Sequence, residues 1–305
     1  MIRAAYLTGA RWRGGALDAN GLPPPETATY EALKAAGEAA GIVFDIYRWD
    51  DADLLARAPQ AALIRSCWDY PERAETFAAR LDALEAGGIR VINSAALVRW
   101  NMNKAYLAEF EKAGLTTIPT LFVERCDARA VLRAFDTFDA AELVIKPAIG
   151  AGSRQTIRAR RNIWSEMDVA SAPSGPALIQ PFLPAIESDG ERSLFFFGGR
   201  FAYAVLKRPA PGSWFANAAD TQFTALEASS ADRALAEEVM RIASPGLVYA
   251  RVDIVTNGLG APALIELEAI EPHLFFNRGA PPAAAGDFVR ALADALSPGA
   301  GVLGR

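Results

Sequence analysis

Hydrophobic positions in the first third of the chain follow two alternating patterns. Short apolar runs typical of buried strands are separated by segments in which apolar residues recur every three or four positions, as on one face of a helix. Strand and helix segments alternate over residues 4–8, 26–40, 42–47, 61–65, 71–86 and 89–92. This alternation predicts a parallel α/β sheet, with loops at the carboxyl ends of the strands available for ligands.

Further elements are predicted along the rest of the chain. Strands are expected at residues 118–123, 142–146, 155–160, 193–197, 200–206, 248–255 and 263–267, and helices at residues 100–114, 128–135, 231–242 and 282–296. The apolar run at 177–184 contains Pro181 and Pro184, so we expect that it cannot continue as an inner strand. The backbone groups of residues 180–183 would then stay unpaired and able to bond a planar base edge.

The last predicted hairpin carries a concentration of charge. Its two strands alternate with period two around an Asn-Gly-Leu-Gly turn at residues 257–260. Alternation places Arg251 with Asp253 on one strand face, and Glu266 with Glu268 on one face of the return strand. Three carboxylates this close raise one another's pKa unless a cation neutralises them, and such oxygen ligands suit Mg²⁺ with bound phosphates. The alternative is a solvated strand face with an ordinary Arg–Asp pair.

Two lysines and a glycine-rich loop are candidates for contact with an anion. The predicted helix at 100–114 makes Lys104 a first-turn residue, where the helix dipole disfavours a cation unless an anionic ligand lies nearby. Lys146 ends a predicted strand directly before the loop, whose small residues are Gly150, Gly152 and Ser153. Backbone N–H groups of such a loop can bind phosphate, although glycines between strands often only make a turn.

Two loops of the first segment follow predicted strands. One begins at Arg65 and contains Trp68 and Asp69. A guanidinium can hold a carboxylate, an aspartate can pair with an ammonium and an indole can form a wall, so together they suit a zwitterionic ligand. Alternatively, Arg65 and Asp69 pair with each other and brace the loop. The other loop, at residues 9–25, is either a lid or a surface insertion.

Length and composition limit the class of protein. A chain of 305 residues with 51% hydrophobic content suits two or three folded domains. No apolar run approaches ~18 residues and no secretory signal is present, so we expect a cytoplasmic protein without membrane contact. Cys67 and Cys126 are too few for a disulfide framework. The net charge of −5 argues against a broad nucleic-acid surface.

Taken in order, these segments resemble the ATP-grasp superfamily over residues 97–280. Each motif is ordinary alone, but the ordered set is specific. It comprises Lys104, Val144-Ile-Lys-Pro, the glycine loop, Gln180-Pro-Phe-Leu, Glu191, Lys207, Arg251-Val-Asp and Glu266-Leu-Glu. The segments at residues 65–70, 99–104, 179–184, 205–212 and 270–272 are similar to the group that includes the D-cycloserine-forming ligase, with glutathione synthetase and D-alanine–D-alanine ligase more distant.

The resemblance implies a domain order. An α/β domain at residues 1–96 would precede an α+β central lobe at 97–184 and an α+β C-terminal lobe at 185–305. ATP would be clamped between these last two lobes.

The resemblance also implies roles for individual residues. Contact with ATP is implied for Lys104, Lys146, Gly150, Gly152, Ser153, Gln180, Pro181, Phe182, Leu183 and Glu191. One or two Mg²⁺ ions would be ligated by Asp253, Glu266 and Glu268. The transferring phosphoryl group would be steadied by Arg251 and Lys207. Substrate contact is expected from Arg65, Trp68, Asp69, Arg208 and His273, with a structural polar role as the alternative for His273.

The chemistry implied by the resemblance is activation of a carboxylate by ATP, followed by attack of an amine that displaces phosphate. The expected substrate is small and amino-acid-like, with the amine in the same or another molecule. Residues 211–220 depart from the group's pattern, and Glu268 stands where many relatives have Asn. A non-catalytic ATP-binding or scaffold protein is the alternative, and both a monomer and a homo-oligomer stay open.

Overall fold

The computed structural model describes residues 1–9, 16–19, 21–164, 171–215, 221–243 and 246–297. Residues 10–15 and 20 of the predicted 9–25 loop lie outside the described residues. The first sheet is fully parallel, and its strand order is β2-β1-β3-β4. Its elements are β1 (Ile2–Thr8), α1 (Pro24–Ala39), β2 (Ile42–Arg48), α2 (Leu54–Arg57), β3 (Ala61–Ser66), α3 (Ala74–Ala86) and β4 (Arg90–Ile92). The predicted parallel α/β arrangement is confirmed.

Two short helices replace the single helix predicted at residues 100–114. The first, α4 (Ala95–Met102), begins after Ser94, whose hydroxyl accepts a hydrogen bond from the Leu97 N–H. The second is α5 (Tyr106–Lys112). Lys104 lies in the break between them, so its predicted place in a helix's first turn is wrong. Its backbone N–H donates instead to the carbonyl of Ala148, at 2.9 Å.

The second sheet is antiparallel, with the strand order β5-β8-β6-β7. Its elements are β5 (Leu121–Val123), α6 (Ala128–Phe138), β6 (Glu142–Pro147), β7 (Ile157–Arg160) and β8 (Ala177–Pro181). Strand β5 is shorter than predicted because Ile118 leaves this sheet and donates its N–H to Leu264.

The predicted break in the run at 177–184 comes later than expected. Strand β8 is an inner strand as far as Pro181. Gln180 pairs with Val144, and the Phe182 N–H donates to Glu142 at 2.9 Å, so the prediction of unpaired backbone at both residues is wrong. Antiparallel pairing alternates, so the nitrogen of Pro181 faces β5, whose pairing with β8 ends at Leu121. The missing N–H of the proline therefore breaks no ladder bond.

The third sheet has the antiparallel order β11-β10-β9-β12-β13. Its elements are α7 (Ala185–Ser188), β9 (Glu191–Phe197), β10 (Arg200–Arg208), β11 (Gln222–Leu226), α8 (Ser230–Ala243), β12 (Tyr249–Thr256), β13 (Pro262–Glu268) and α9 (Ala284–Leu296). The predicted hairpin of β12 and β13 is confirmed, whereas α7 and β11 were not predicted. The three sheets fall within the three predicted segments, and the exact domain boundaries stay predictions.

The first and third sheets share one hydrophobic core. Tyr6 and Phe44 of the first sheet belong to the same buried cluster as Phe195, Tyr249 and Phe288. The opposite face of the third sheet has a separate core that includes α5 and α8. The third sheet is therefore fixed on both faces. In the described part of the chain, no helix is long and apolar enough to cross a membrane.

Buried polar side chains fasten the β12–β13 hairpin to the segment that follows β4. The amide of Asn93 donates to the carbonyls of Tyr249 and Ala269, at 2.9 and 2.7 Å. Asn101 likewise donates to the carbonyl of Leu267, at 2.8 Å, and accepts from the N–H of Ala269, at 2.9 Å. These bonds reach across more than 150 residues of sequence and fix the strand that carries the predicted acids.

Candidate active site

A cavity of about 670 Å³ lies where the three sheets meet. Most of the predicted site residues line it, although they are widely separated in sequence. These are Trp68, Lys104, Lys146, Gly150, Gly152, Ser153, Gln180, Pro181, Leu183, Glu191, Lys207, Arg251, Asp253, Glu266, Glu268 and His273. Arg65, Asp69, Phe182 and Arg208 do not line it.

The hairpin brings its charged residues together in the predicted register. Asp253 is opposite Glu266, and Arg251 is opposite Glu268. The guanidinium of Arg251 donates to both oxygens of Asp253, with a shortest distance of 2.7 Å, and also to Glu268. Arg251 and Asp253 are 5% and 2% exposed, so this pair belongs to a buried site rather than to a solvated strand face.

Further contacts extend this network beyond the hairpin. Lys207, which is 1% exposed, contacts Glu191 directly and has its ammonium 3.6 Å from Asp253. The hydroxyl of Ser193 donates to Asp253 at 2.6 Å. Lys104 places its ammonium 3.1 Å from Glu266. Glu191, Asp253, Glu266 and Glu268 are thus each matched by a cation before any ligand is bound.

Burial and neighbouring charges separate the acids in pKa. Burial alone would raise the pKa of Asp253, but the charges of Arg251 and Lys207 lower it well below its usual range. Burial raises the pKa of Glu268 to about 7, and the carboxylates of Glu266 and Asp253 add to this despite the nearby Arg251. A cation bound beside Glu268 would stabilise the ionised form of this carboxylate without another side chain of the protein.

The acids fit a divalent cation in type and strand position. Glu266 and Glu268 share a face of β13, and carboxylate oxygens are the donors that Mg²⁺ prefers. Within the described ranges, no group of three acidic, histidine or cysteine side chains surrounds one point as a preformed metal cage. The reason is that Lys104 and Arg251 form ion pairs with these carboxylates.

The lysines and the glycine loop form another part of the cavity. The ammonium of Lys104 donates to the carbonyl of Gly150 at 2.7 Å, so this lysine joins the loop to Glu266. Lys146 lies beside it and has no ion-pair partner among the residues described. Loss of solvation lowers the pKa of Lys146; Glu266 opposes this effect and the nearby positive Lys104 adds to it. A ligand anion would relieve both unfavourable effects on the charged form.

Several loop residues have left-handed backbone. Gly152 has φ +62°, and the non-glycine residues Ser153 and Gln155 have φ +57° and +56°. Side-chain-bearing residues rarely adopt this conformation without support. One support is Arg154, whose guanidinium lies 2.6 Å from Glu72, just after the first sheet's third strand. The loop is therefore tied to the first sheet.

The end of β8 lines another side of the cavity. Gln180 donates through its side chain to Thr120 at 2.9 Å, and Pro181 and Leu183 complete the lining there. Phe182 points away from the cavity and packs under the guanidinium of Arg158, 3.6 Å from the ring centre. The predicted contact of these four residues with adenine is through the backbone and stays a prediction, and the Phe182 side chain takes no part in lining the cavity.

Arg65 and Asp69 occupy places different from those expected. Arg65 is fully buried, with its guanidinium 3.2 Å from Glu26 and donating to the Pro272 carbonyl at 2.8 Å. Asp69 accepts from the Trp49 indole at 2.9 Å instead. The alternative prediction of an Arg65–Asp69 pair is also wrong, because Glu26 at the start of α1 takes the guanidinium. Sequence spacing gave no signal for a partner 39 residues away.

His273 and Arg208 were expected to contact substrate, and the structure places both of them differently. The His273 Nδ1 accepts from the Phe275 N–H at 3.1 Å, and its Nε2 lies 3.2 Å from the Pro25 carbonyl. Both ring nitrogens thus contact backbone, as in the structural alternative. Burial lowers the pKa of His273 to about 3, and Arg251 and other cations add to the effect. Arg208 is exposed at the end of β10.

Sequence reasoning missed a buried acid of the cavity, Glu271. It is 8% exposed and lines the cavity beyond the end of β13. Period-two alternation connects Glu266 with Glu268 but then points to Ile270, so the strand pattern did not extend to Glu271. The available signal was an acidic residue between an apolar position and a proline.

Comparisons with known proteins agree with this geometry. Residues 103–269 match the family profile described as "Prokaryotic glutathione synthetase, ATP-grasp domain", and residues 5–93 match "D-cycloserine synthetase DcsG, N-terminal domain". The chain is 30% identical over 285 residues to the Cycloserine biosynthesis protein DcsG of Streptomyces lavendulae, covering 87% of this chain and 93% of that protein.

Solved structures show the same architecture. The crystal structure of D-cycloserine synthetase DcsG superposes with a TM-score of 0.83 and 28% identity, covering 97% of this chain and 100% of that one. The D-alanine–D-alanine ligase from Bacillus anthracis complexed with ATP gives a TM-score of 0.68 at 16% identity, with coverages of 97% and 96%. At that identity the second likeness concerns the fold alone.

The chain belongs to the ATP-grasp ligases, ATP-dependent enzymes that form C–N bonds. The similarity to DcsG extends through the first sheet as well as the ATP-grasp segment. The prediction of an enzyme is confirmed. Members of this family use ATP and Mg²⁺, and one solved relative, PsnB, contains Mg and ADP.

Proposed function

We propose that this protein is an ADP-forming carboxylate–amine ligase that acts on a small amino-acid-like substrate through an acylphosphate. The observation that carries the proposal is the convergence, in one cavity, of four cationic side chains with three carboxylates. These are Lys104, Lys146, Lys207, Arg251, Asp253, Glu266 and Glu268. Such fixed charges suit phosphoryl transfer, in which the protein supplies alignment and charge stabilisation rather than a covalent nucleophile.

The phosphates of ATP are assigned to the lysines and the glycine loop. Lys146 offers an ammonium that no described carboxylate pairs, and Lys104 already bridges the loop and Glu266. The N–H groups around Gly150, Gly152 and Ser153 add hydrogen-bond donors. Pro181 and Leu183 would meet adenine through the backbone, since Gln180 and Phe182 are paired with β6, and Glu191 would meet the ribose after Lys207 turns towards the phosphates.

Phosphoryl transfer is assigned to the hairpin face. Arg251 and Lys207 would stabilise the charge on the group in transfer, and Asp253, Glu266 and Glu268 would hold one or two Mg²⁺ ions. Bound Mg²⁺ would supply charge neutralisation between these carboxylates and the phosphates. Arg251 is held on two sides by Asp253 and Glu268, so its guanidinium is oriented before the nucleotide arrives.

The bond changes follow from the same arrangement. A carboxylate oxygen of the substrate attacks the terminal phosphorus of ATP, and ADP leaves. An amine nitrogen then attacks the acyl carbon and loses a proton. The bond between the acyl carbon and the phosphate oxygen breaks, and phosphate leaves. Similarity to DcsG along both segments supports ring closure, in which the amine and the carboxylate belong to one molecule.

The decisive experiment is ADP release from ATP and Mg²⁺ in the presence of the D and L isomers of the common amino acids and their N-oxygenated derivatives. We expect at least one compound to stimulate release and to give a product in which carbon and nitrogen are newly joined. A product lighter than its substrate by one water would identify ring closure; a heavier, condensed product would identify joining of two molecules. ATP binding without stimulated ADP release would contradict the proposal and favour a nucleotide-binding role.

A further inference from the structure

Glu271 is a buried carboxylate with an unused acceptor. Its side chain is 8% exposed and lines the cavity, and its Oε2 atom is buried without a hydrogen-bond partner in the structure. The other cavity acids differ in this respect. Asp253 and Glu268 contact Arg251, and Glu266 contacts Lys104. Glu271 is therefore an acid of the site that the described chain leaves without a cation.

The surroundings of Glu271 explain why no side chain compensates it. Arg65 is the guanidinium whose charge acts on Glu271, but its bonds go from Nε to Glu26 and from Nη2 to the carbonyl of Pro272. Asp69, another neighbour, contacts Arg73 at 3.3 Å. Unpaired buried carboxylates are costly, and such groups persist where a ligand or a reaction uses them. The missing partner of Glu271 therefore has to come from the cavity.

The wall around Glu271 limits what that partner is. Tyr70 and Ile270 line the same cavity and belong to one hydrophobic cluster, and the charge of Glu271 acts on Tyr70, so aromatic and apolar surface lies beside the carboxylate. Tyr70 and Ile270 are each 4% exposed and fixed by packing. Carboxylates, with their acceptor oxygens, match a compact group that carries several N–H donors and a positive charge. An ammonium on a small carbon skeleton meets these requirements.

We propose that Glu271 binds the protonated amino group of the amino-acid-like substrate and so selects amino acids over hydroxy acids. This assignment rests on the proposed function, because it names a substrate contact within the same cavity. The sequence predicted this ammonium contact for Asp69, but Asp69 contacts Trp49 and Arg73 instead. The proposal assigns the contact to Glu271. Glu271 acts in recognition, and the phosphoryl chemistry stays with the hairpin cations.

The test uses the full-length protein, Mg²⁺ and ATP, with probes in matched pairs: D-alanine against D-lactate, D-serine against D-glycerate, and the corresponding L pairs. The most stimulating amino acid from the ADP-release screen is added with its own 2-hydroxy acid. In the wild type, amino acids stimulate ADP release and hydroxy acids do not. In Glu271→Gln, the KM of the amino acid rises about 10- to 150-fold, as expected for loss of one charge-assisted hydrogen bond. The Kd of ATP and the Mg²⁺ concentration for half-maximal rate stay unchanged.

Two further variants make the test specific. Glu271→Asp keeps the charge, so it retains the preference for amino acids while its KM rises less than that of Glu271→Gln; it also serves if the Gln variant does not fold. Asp69→Asn removes a neighbouring acid that does not line the cavity. It lowers thermal stability, because Arg73 loses its ion-pair partner while the amide oxygen can still accept from Trp49, but leaves the amino-acid KM unchanged.

Several results would overturn the assignment. These are a wild-type KM in Glu271→Gln, equal stimulation of the wild type by amino and hydroxy acids, or a raised Mg²⁺ requirement in the Gln variant, which would make Glu271 a metal ligand. Failure of the proposed function gives a different result, since no probe would then stimulate ADP release even in the wild type, and the assignment would fall with it.

Discussion

The two sides of the cavity differ in how their buried charges are satisfied. On the β12–β13 side, Arg251, Asp253 and Ser193 form a continuous set of hydrogen bonds. On the side facing the first sheet, Glu271 has a buried oxygen without a hydrogen-bond partner in the structure, and so do single atoms of Glu26 and Arg65, which lie outside the cavity lining. A satisfied network holds its geometry, as chemistry on a constant cosubstrate requires. The unsatisfied side can recognise a small molecule, because that molecule supplies the missing hydrogen-bond partners.

The largest expected effect comes from removing charge on the satisfied side. We expect Glu266→Gln to lower kcat by ~10²–10³-fold, the usual cost of losing one electrostatic contact to the transition state. The Kd of ATP should change far less, since the lysines and the loop remain. Steady-state ADP release and calorimetric binding check the two parts. Glu237→Gln, on the exposed face of α8, is the control, and near-normal turnover of Glu266→Gln at saturating Mg²⁺ would refute the metal assignment.

The next effect concerns Lys146, a cavity cation without an ion-pair partner in the described residues. Lys146→Ala should weaken ATP binding about 10- to 150-fold, from a loss of ~1.5–3 kcal/mol for one charge-assisted phosphate contact. Thermal stability should not fall, because burial already disfavours the charged lysine. Isothermal calorimetry measures the affinity. The exposed Lys112→Ala serves as control, and an unchanged Kd in Lys146→Ala would make Lys146 a strand-end residue without a phosphate contact.

The pH dependence of stability tests the junction of the two sides, where His273 contacts Pro25. The native ring, with its pKa lowered to about 3, stays neutral while the unfolded ring takes up a proton below pH ~6.5. The unfolded state thus binds more protons, so stability is lost as pH falls from ~6.5 towards 3. At pH 5 the loss is about 2 kcal/mol.

Urea unfolding at pH 7.5 and pH 5 provides the measurement. In His273→Gln, whose amide retains a donor towards Pro25, the stability difference between the two pH values should be smaller by that amount. Arg251, Arg65 and Arg278 all disfavour the charged ring, so the neighbouring charges act in the same direction as burial. Equal pH dependence in the two proteins would show that His273 titrates normally in the native state.

The smallest expected effect is on Tyr249, which belongs to the core shared by the first and third sheets. Its hydroxyl lies 2.8–3.1 Å from the carbonyls of Ile64, Ile92 and Ile270. Tyr249→Phe should lower the free energy of unfolding by about 1 kcal/mol and leave the Kd of ATP unchanged. The matched control is Tyr30→Phe, whose hydroxyl makes a longer contact of 3.4 Å to one carbonyl. Equal losses in both variants would show that the three carbonyl contacts of the Tyr249 hydroxyl stabilise the protein no more than the single contact of Tyr30.

Local patterns were sufficient to predict the charged hairpin. The turn at residues 257–260 and the alternation of apolar positions determine which strands pair, and one register then brings Asp253 opposite Glu266. The first sheet was predictable for the same reason, because each strand and helix has its own period. The order of motifs along the chain is also enough to indicate the family.

Contacts between distant segments were beyond that reasoning. The partner of Arg65 is Glu26, on a helix of the first sheet, and neither residue has a local pattern that identifies the other. The break at Asn103, which places Lys104 beside the glycine loop, depends on the bond between the Lys104 N–H and Ala148. Glu271 lies just beyond the strand whose alternation identified the other acids.

The amides of Asn93 and Asn101 have a consequence for exchanging modules between relatives. A substrate-recognising segment is attractive to transplant, and the predicted boundary at residue 96 would be the obvious junction. Asn93 lies before that junction but is bonded to Tyr249 and Ala269 after it. A chimera joined there inherits its asparagine from the donor and its acceptor carbonyls from the recipient. Joining before Asn93 keeps donor and acceptors from the same parent, so crossovers at residue 92 should give folded hybrids more often than crossovers at residue 96.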